Sequence, residues 1–292
     1  MKTLATVLTM CMTWQLAAQL PSTDLYMLKI FNNGEKLRIN TPQYLSGFNP
    51  DGYNNQPAFA SPHELYITSD MYDERYTDIV SLDLLARQYR RVTATDSISE
   101  YSPTPKAIDD YISCIRVEKD GNTQSLHLYP TDHADSGRRL LPDLATIGYH
   151  EWLSDTELAL YLVTTPQSMV IADIENGSVR EVCTEPGRCM RVYKGEQLLY
   201  VHKVRSDVWY LKSYDLDTGG EAVIIQTLPG SEDFVILVDG TILMGSGSSI
   251  YYMHPDRDTD WQEATDLYQY GIRNITRLAN SRNKLVIVNK KQ

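Results

Sequence analysis

A repeat of about 40–47 residues runs through most of this chain and constrains its fold more than any other feature. Its clearest part is an alternating strand, a turn rich in Asp, Asn or Gly, and a second, more polar strand. Five copies begin near Asp78, Gln124, Ser168, Val208 and Ser249. Self-similarity at this period is typical of stacked supersecondary units. A four-stranded blade of a β-propeller has this length.

Each copy is preceded by two further runs with strand character, so each repeat predicts four strands. The predicted innermost strands are Pro57–Ala60, Tyr101–Pro103, His150–Leu153, Cys189–Val192 and Phe234–Leu237. Helical periodicity is nearly absent, and the 20 tyrosines suit half-buried pleated surfaces. We therefore predict an all-β fold with five complete blades between about residues 53 and 267.

The two ends of the chain each supply half of a further blade. Leu25–Phe31 and Glu35–Ile39 flank Asn32-Asn33-Gly34, and Asn-Gly between alternating runs is a strong hairpin signal. Ile275–Leu278 and Lys284–Val288 are the last predicted strands. The sequence thus predicts a sixth blade from about residues 25–39 and 275–288, which closes the ring without open edges. The predicted fold class is a six-bladed β-propeller of four-stranded antiparallel blades, one domain over residues 20–292.

Residues 1–19 have the pattern of a secretory signal peptide. Lys2 precedes a mostly apolar stretch, Leu4–Leu16, and Ala17-Ala18-Gln19 provides small residues around a cleavage point. Cys11 leaves a lipid anchor open, although Met10 before it does not match the small residue expected there. No later run approaches the ~20 apolar residues that a membrane span requires. A secreted or periplasmic protein without a membrane span is therefore predicted.

Charge and cysteine content restrict the classes of partner and cofactor that this chain can bind. The chain has 38 acidic and 27 basic residues and a net charge of −11, whereas nucleic acids and anionic membranes require a basic face. After residue 19 only Cys114, Cys183 and Cys189 remain, so this is no disulfide-built scaffold. Cys183 and Cys189 flank a short Pro-Gly loop, and a disulfide between them is compatible with an oxidising compartment. Without a Cys/His cluster of zinc type, no cofactor is predicted.

Residues 55–67 (NQPAFASPHELYI) resemble the WD40-like repeat of TolB-type propellers, with its Pro, aromatic residue and Ser-Pro pair. Asp78–Leu84 and Arg91–Thr93 resemble the segments that follow in that repeat, and Tyr101–Pro103 opens a more degenerate copy. The consensus Asp-Gly after Ser-Pro is His63-Glu64 here. The resemblance implies a bacterial periplasmic or secreted propeller that docks other proteins. We expect the propeller module without the additional N-terminal α/β domain of TolB itself.

Loops that enter the innermost strands surround the central channel of a propeller, and one rigid scaffold presents them all. Tyr and Arg, which are frequent interface anchors, occur among them. The predicted protein-binding residues are Asn55, Gln56, Glu100, Tyr101, Tyr149, His150, Arg188, Glu232, Asp233, Arg273 and Asn274. We therefore predict a non-catalytic, monomeric module that binds other envelope or secreted proteins through this face.

Two other functions remain open on the sequence. A lactonase-type propeller would hold a divalent cation through oxygens of Glu100, Asp233, Asn274 and Asn55, and the cation would act as a Lewis acid. A carbohydrate-binding propeller would use Tyr101, Tyr149 and Trp152, although Trp152 also fits the core. Gly245–Ser249 (GSGSS) lacks the register and the following helix of a nucleophile elbow, so it predicts a turn. No catalytic residue is predicted.

Overall fold

The computed structural model describes residues 20–32, 37–106, 110–131 and 137–291. Within these ranges the chain forms six antiparallel sheets and no α-helix, which confirms the predicted six-bladed β-propeller with four-stranded blades. The 3-10 turn Tyr268–Tyr270 is the one helical element among them. No described helix has the length and apolarity needed to cross a bilayer. The predicted signal peptide, Cys11 and the Asn33-Gly34 turn lie outside the described residues.

Strands are numbered in chain order. The first three belong to the last blade, blade 6: β1 (Thr23–Asn32), β2 (Leu37–Ile39) and β3 (Gln43–Tyr44). Blades 1 and 2 follow: β4 (Asn54–Ser61), β5 (Glu64–Asp73), β6 (Tyr76–Asp83), β7 (Gln88–Arg91), then β8 (Ser99–Lys106), β9 (Tyr111–Val117), β10 (Gln124–Pro130), β11 (Arg138–Leu140). Blade 3 comprises β12 (Ile147–Trp152), β13 (Glu157–Leu162), β14 (Ser168–Asp173) and β15 (Val179–Thr184).

The remaining blades complete the ring. Blade 4 comprises β16 (Pro186–Tyr193), β17 (Gln197–Arg205), β18 (Val208–Asp215) and β19 (Glu221–Gln226). Blade 5 comprises β20 (Phe234–Ile236), β21 (Ile242–Ser246), β22 (Ser249–Met253) and β23 (Gln262–Asp266). The chain then returns to blade 6 with β24 (Ile275–Ser281) and β25 (Lys284–Lys290). The first strands of the blades, β4, β8, β12, β16, β20 and β24, each contact the next in a closed ring around the central channel.

Blade 6 combines both ends of the described chain. Its strand order is β2-β1-β25-β24, with β3 as a short addition on β1. β1 and β25 pair antiparallel over seven residues, from Thr23 opposite Lys290 to Lys29 opposite Lys284. Backbone hydrogen bonds on both sides of β1 therefore hold a segment that would otherwise fray.

The core is divided among the interfaces between neighbouring blades. Six apolar clusters form among the described residues, and each draws on two adjacent blades. Because both faces of a blade are covered by its neighbours, the second strands are almost continuously apolar, as in any sheet buried on both faces. In β13, for example, five of six residues are buried. Burial of this apolar surface stabilises the ring.

The recurring Asp of the repeat stabilises turns. Asp83 Oδ1 accepts hydrogen bonds from the backbone N–H groups of Leu85 and Ala86, both at 2.8 Å, in the turn between the third and fourth strands of blade 1. Asp173 and Asp215 make the same pair of bonds in blades 3 and 4. Such side-chain acceptors replace missing backbone partners in tight turns. These recurring positions of the repeat are structural, and none of them is among the residues that line the channel.

Candidate functional site

The central channel is a cavity of about 290 Å³ lined by residues from the innermost strands of all six blades. Five of these strands, β4, β8, β12, β16 and β24, carry a register shift against their neighbour near the point where they enter the channel. Such bulges re-aim side chains. The repeated distortion therefore sets which side chains face the channel mouth.

Gln56 joins two blades at the mouth. It has a positive φ of 51°, and Ser102 in the equivalent place on β8 has a φ of 54°. The Oε1 atom of Gln56 accepts hydrogen bonds from Thr68 Oγ1 at 2.8 Å and from the Ser102 backbone N–H at 2.9 Å. Asn55 is occupied locally, because its Oδ1 accepts from the Gln56 N–H at 2.7 Å. These two predicted site residues hold the rim in shape.

Arg277 and Tyr149 meet across the channel. Arg277 Nη2 donates to the Tyr149 hydroxyl at 3.0 Å, and the guanidinium carbon lies 5.0 Å from the ring centroid. Nη1 of the same arginine donates to Asp233 Oδ2 at 2.9 Å, while Asp233 Oδ1 accepts from the Leu278 N–H at 2.7 Å. Tyr149 and Asp233 raise the pKa of Arg277 against the opposing effect of burial. The guanidinium therefore stays charged inside the channel.

Arg188 stands beside this pair and is more open to solvent. Its Nε donates to Glu232 Oε1 at 2.5 Å, and Lys203 Nζ lies 2.7 Å from Glu232 Oε2. Burial alone would raise the pKa of Glu232, but Arg188 and Lys203 outweigh it and lower that pKa to about 2. The Arg188 guanidinium also lies 6.0 Å from the ring centroid of Tyr149. Its side chain is 46% exposed, so a ligand at the mouth can reach it.

A third ion pair lies further along the channel wall. Arg191 Nη1 is 3.4 Å from Glu151 Oε2 and donates to the Met190 carbonyl at 2.8 Å. Burial raises the pKa of Glu151 although Arg191 opposes it. With Lys203, the three arginines give four cationic groups against the three carboxylates Glu151, Glu232 and Asp233. The site is thus locally positive in a chain whose net charge is −11.

Tyrosine rings surround the same mouth. Tyr53 and Tyr101 are in edge contact with their centroids 6.5 Å apart, and Tyr149 and Tyr161 are likewise at 5.7 Å. Such pairs prefer tilted or offset geometry because of the ring quadrupole. Tyr101 is half-buried and packs against the core between blades 2 and 3. Two rigid aromatic pairs therefore border the charged groups.

The structure brings together Tyr149, Arg188, Glu232 and Asp233 of the predicted residues, and it places the others differently. His150 is a buried side chain whose Nε2 lies 2.7 Å from Ser113 Oγ, and burial lowers its pKa to about 3. Arg273 is directed to Tyr268, with its guanidinium carbon 3.5 Å from that ring centroid. Asn274 lines a neighbouring depression instead of the channel.

Glu100 does not reach the channel. It is fully buried between blades 1 and 2, where it accepts hydrogen bonds from the hydroxyls of Thr95 and, at 3.3 Å, Thr93. Burial is the largest cause that raises its pKa to about 7. Successive side chains along β8 point to opposite faces. Glu100 therefore points into the interface between blades 1 and 2, while Tyr101 points the other way. Glu100 therefore has a structural place.

The disulfide that the spacing of Cys183 and Cys189 allowed is not formed. Both are free thiols. Cys183 lies in β15, the outermost strand of blade 3, whereas Cys189 lies in β16, the innermost strand of blade 4. Cys189 Sγ donates to the Phe234 carbonyl at 3.3 Å. The two cysteines are six residues apart in sequence, but one lies at the outer edge of blade 3 and the other lies beside the channel in blade 4.

The oxygens proposed for a channel cation do not converge. Glu100 faces Thr93 and Thr95, Asp233 is bound to Arg277, and Asn55 bonds its own backbone segment. Within the described parts of the chain, no group of three or more His, Cys, Asp or Glu side chains has metal-binding geometry. Trp152 packs against the core between blades 2 and 3 and donates to Ser113 Oγ at 2.9 Å. Trp152 is therefore part of the core and does not complete the aromatic set proposed for a sugar.

Sequence reasoning missed Arg277, Arg191 and Glu151. The signal was present: each is a charged residue inside or beside a short, otherwise apolar run that was assigned to an innermost strand. Charged side chains are rarely buried unless they are paired. Charge within such strands therefore indicates groups that face a channel.

No family model and no curated protein sequence matches the chain. Among solved structures, a protein assigned as TolB from Agrobacterium tumefaciens gives a TM-score of 0.68 at 11% identity, covering 93% of this chain and 99% of that one. TolB from Acinetobacter baumannii gives 0.59 at 13% identity, covering 93% of this chain and 64% of that one. A puromycin hydrolase gives 0.58 at 13% identity, with 91% of this chain and 48% of that enzyme covered.

At 11–13% sequence identity, these similarities show the fold and nothing finer. They include an enzyme as well as the TolB proteins, so the shared architecture leaves the chemistry of this chain to its own residues. The resemblance found in residues 55–67 is confirmed at this level: the chain has the six-bladed propeller fold seen in the TolB structures.

Proposed function

We propose that this propeller is a non-catalytic interaction module of the envelope or extracellular space. It binds a partner protein through the loops around the channel mouth, and Arg188 receives an acidic group of that partner. The TolB-like fold is compatible with this role but does not decide it, since hydrolases share the architecture. The local chemistry of the mouth carries the proposal.

The state of Arg188 is the central observation. Glu232 Oε1 takes its Nε and Nη2 donors, and Nη1 has no hydrogen-bond partner among the described residues. A guanidinium offers five donors in a planar fork and recognises carboxylates through adjacent pairs of them. Glu232 and the Tyr149 ring hold this one in place, so little side-chain entropy is lost on binding. Arginine and tyrosine are also the residue types that dominate binding energy at interfaces.

Site-specific photocrosslinking tests the proposal. A benzoylphenylalanine at Asn274, an exposed residue beside the channel mouth, should crosslink one discrete partner in cells of the native host. The same probe at Val238, a 95% exposed residue in the turn at the other end of β20, should not. Arg188→Ala should abolish the crosslink from the rim, whereas Arg257→Ala, which removes a 47% exposed arginine beside Val238 and Asp239, should leave it unchanged. Equal crosslinking from both faces, or insensitivity to Arg188→Ala, would contradict the proposal.

The non-catalytic part has its own test. Elemental analysis of the purified protein should find no divalent cation at one equivalent per chain, and adding calcium, manganese or zinc should not shift its melting temperature. A bound equivalent whose loss lowers that temperature would favour the cation-dependent enzyme instead.

Export is proposed from the pattern of residues 1–19. Mass spectrometry of the protein from a cell-envelope fraction should give a mature chain that begins near Leu20. A chain that retains Met1–Gln19 in the cytosolic fraction would contradict it.

A further inference from the structure

A second depression lies beside the channel mouth, between blades 5 and 6. Its volume is about 180 Å³. Its lining includes Arg188, Asp233 and Leu278, which also line the channel. The two cavities are therefore continuous, and a ligand group held at Arg188 has the depression directly beside it.

The depression exists because the innermost strand of blade 5 is short. β20 has three residues, whereas the other five innermost strands have six to eight. Its register with β21 begins with Phe234 opposite Met244, so Gly245 and Ser246 lie beyond its end. A Cβ on Gly245 would stand 2.4 Å from Ile275 Cγ2. The glycine therefore allows β24 to approach while the short β20 leaves space above it.

The walls of this depression are small, polar and fixed. Gly230 and Gly247 expose bare backbone, since a Cβ at either position would meet nothing within 4 Å. Ser231 Oγ donates to the Gly245 carbonyl at 2.8 Å, and the Ile275 N–H donates to the Gly247 carbonyl at 2.9 Å. These internal bonds preorganise the shape, which lowers the cost of binding.

The lining also indicates the ligand class. Ser231, Ser246, Asn274 and Thr276 offer hydrogen-bonding groups, and Ile275 and Leu278 offer an aliphatic surface. No aromatic ring is among the described residues that line the depression, so they do not form the stacking platform on which sugar rings usually rest. Arg188 is the one basic residue among the described residues of this lining, and its two carboxylates are already paired, Glu232 with Arg188 and Lys203, and Asp233 with Arg277. Main-chain hydrogen bonds combined with shallow side-chain pockets are the mode by which extended peptides are recognised.

We propose that this depression is a peptide subsite. An Asp or Glu of the partner binds Arg188, and the adjacent two or three residues, small and uncharged, lie extended over Ser246 and Asn274. The partner thus presents a flexible acidic segment and not a folded surface. This inference rests on the proposed function, because it places the acidic anchor at the same arginine.

A phage-displayed dodecapeptide library, selected on the folded full-length protein, tests the subsite. Selected peptides should share an acidic residue next to Gly, Ser, Ala or Thr, and fluorescence polarisation of the labelled consensus peptide should give its affinity. Ser246→Trp, which fills the depression, should weaken binding at least tenfold, as should Arg188→Ala. Ser206→Trp, at the equivalent exposed turn of blade 4, is the matched control and should change nothing. Asn274→Tyr blocks the same depression from an exposed position if Ser246→Trp proves unstable.

The outcomes separate the two proposals. Loss of binding in Arg188→Ala without loss in the two blocking variants overturns the subsite and leaves the docking function standing. Loss in the blocking variants alone supports the subsite and overturns Arg188 as the anchor. A selection whose peptides resist all three substitutions, or that yields no binding peptide, overturns the subsite inference.

Discussion

Arg277 of blade 6 donates a 3.0 Å hydrogen bond to the hydroxyl of Tyr149 in blade 3, three blades away around the ring. In a six-bladed ring these blades face each other, so this contact spans the channel. The same arginine is paired with Asp233 of blade 5. The two interactions connect three blades whose sheets are not joined by strand pairing, and they fix the aromatic ring against which Arg188 rests.

Removing the two members of this contact should have unequal effects. Arg277 and Asp233 have side-chain exposures of 11% and 8%. Arg277→Met therefore leaves a buried carboxylate without its partner, which typically costs about 3–5 kcal/mol. Tyr149→Phe removes one hydrogen bond and should cost about 1 kcal/mol. Urea unfolding followed by far-UV circular dichroism measures both.

Tyr268→Phe is the control for the tyrosine, because this residue is 58% exposed. It should leave the unfolding midpoint unchanged. Equal costs for Arg277→Met and Tyr149→Phe would contradict a stabilising role for the pair of Arg277 with Asp233.

Glu100 makes stability depend on pH near neutrality. Its pKa is raised from 4.5 to about 7, chiefly by burial, so the folded state binds its proton more tightly than the unfolded state. The resulting stabilisation is complete below pH 4.5 and is lost as pH rises to 7. Glu100→Gln should therefore match the parent at pH 4 and exceed it at pH 8 by up to about 3 kcal/mol.

The comparison for Glu100→Gln is the difference in unfolding free energy between variant and parent at several pH values, which cancels contributions from other groups. Glu175→Gln, in an exposed turn of blade 3, should give a difference that is flat across this range. A flat difference for Glu100→Gln as well would remove the pH dependence assigned to it.

Much of the fold was predictable because each blade repeats the same pattern of strands and turns. Alternation, turn residues and period recur in every copy, so errors in one blade are corrected by the others. The turn carboxylate of Asp83 and its equivalents is an example: a short-range interaction, visible in sequence, with one structural outcome. That β20 is shorter than the other innermost strands was not visible, because Phe234–Leu237 was predicted at about the same length as its equivalents in the other blades.

The site was less predictable because it depends on contacts across the ring. Arg277 and Tyr149 are 128 residues apart in sequence, and nothing local predicts that they meet. Glu100 shows the opposite error: its position at the start of a strand suggested the channel, but backbone alternation turned it into the interface between blades. Loop residues can be assigned to a face of the propeller from sequence, whereas side-chain direction requires the register.

Glu232 should make stability depend on pH in the direction opposite to Glu100. Arg188 and Lys203 outweigh the effect of burial and lower its pKa from 4.5 to about 2. Its contribution, up to about 3 kcal/mol, is present above pH 4.5 and is lost as pH falls towards 2. Glu232→Gln should therefore destabilise the protein most at pH 7, and the difference from the parent should shrink at pH 3. Thermal melts at both pH values measure it, and a constant difference would contradict the ion-pair origin.

Leu28 tests the blade made from both ends of the chain. It lies in β1 opposite Leu285 of β25, is fully buried, and packs in the cluster between blades 5 and 6. Leu28→Ala should cost about 2–5 kcal/mol through lost burial and an unfilled cavity. Lys29→Ala, the adjacent exposed position on the same strand, should cost little.

Hydrogen exchange adds a local measurement: Leu28→Ala should speed exchange of the β25 amides before those of blade 2, because loosening β1 exposes the edge of β25. Uniform acceleration in all blades would instead show that the ring opens as one unit.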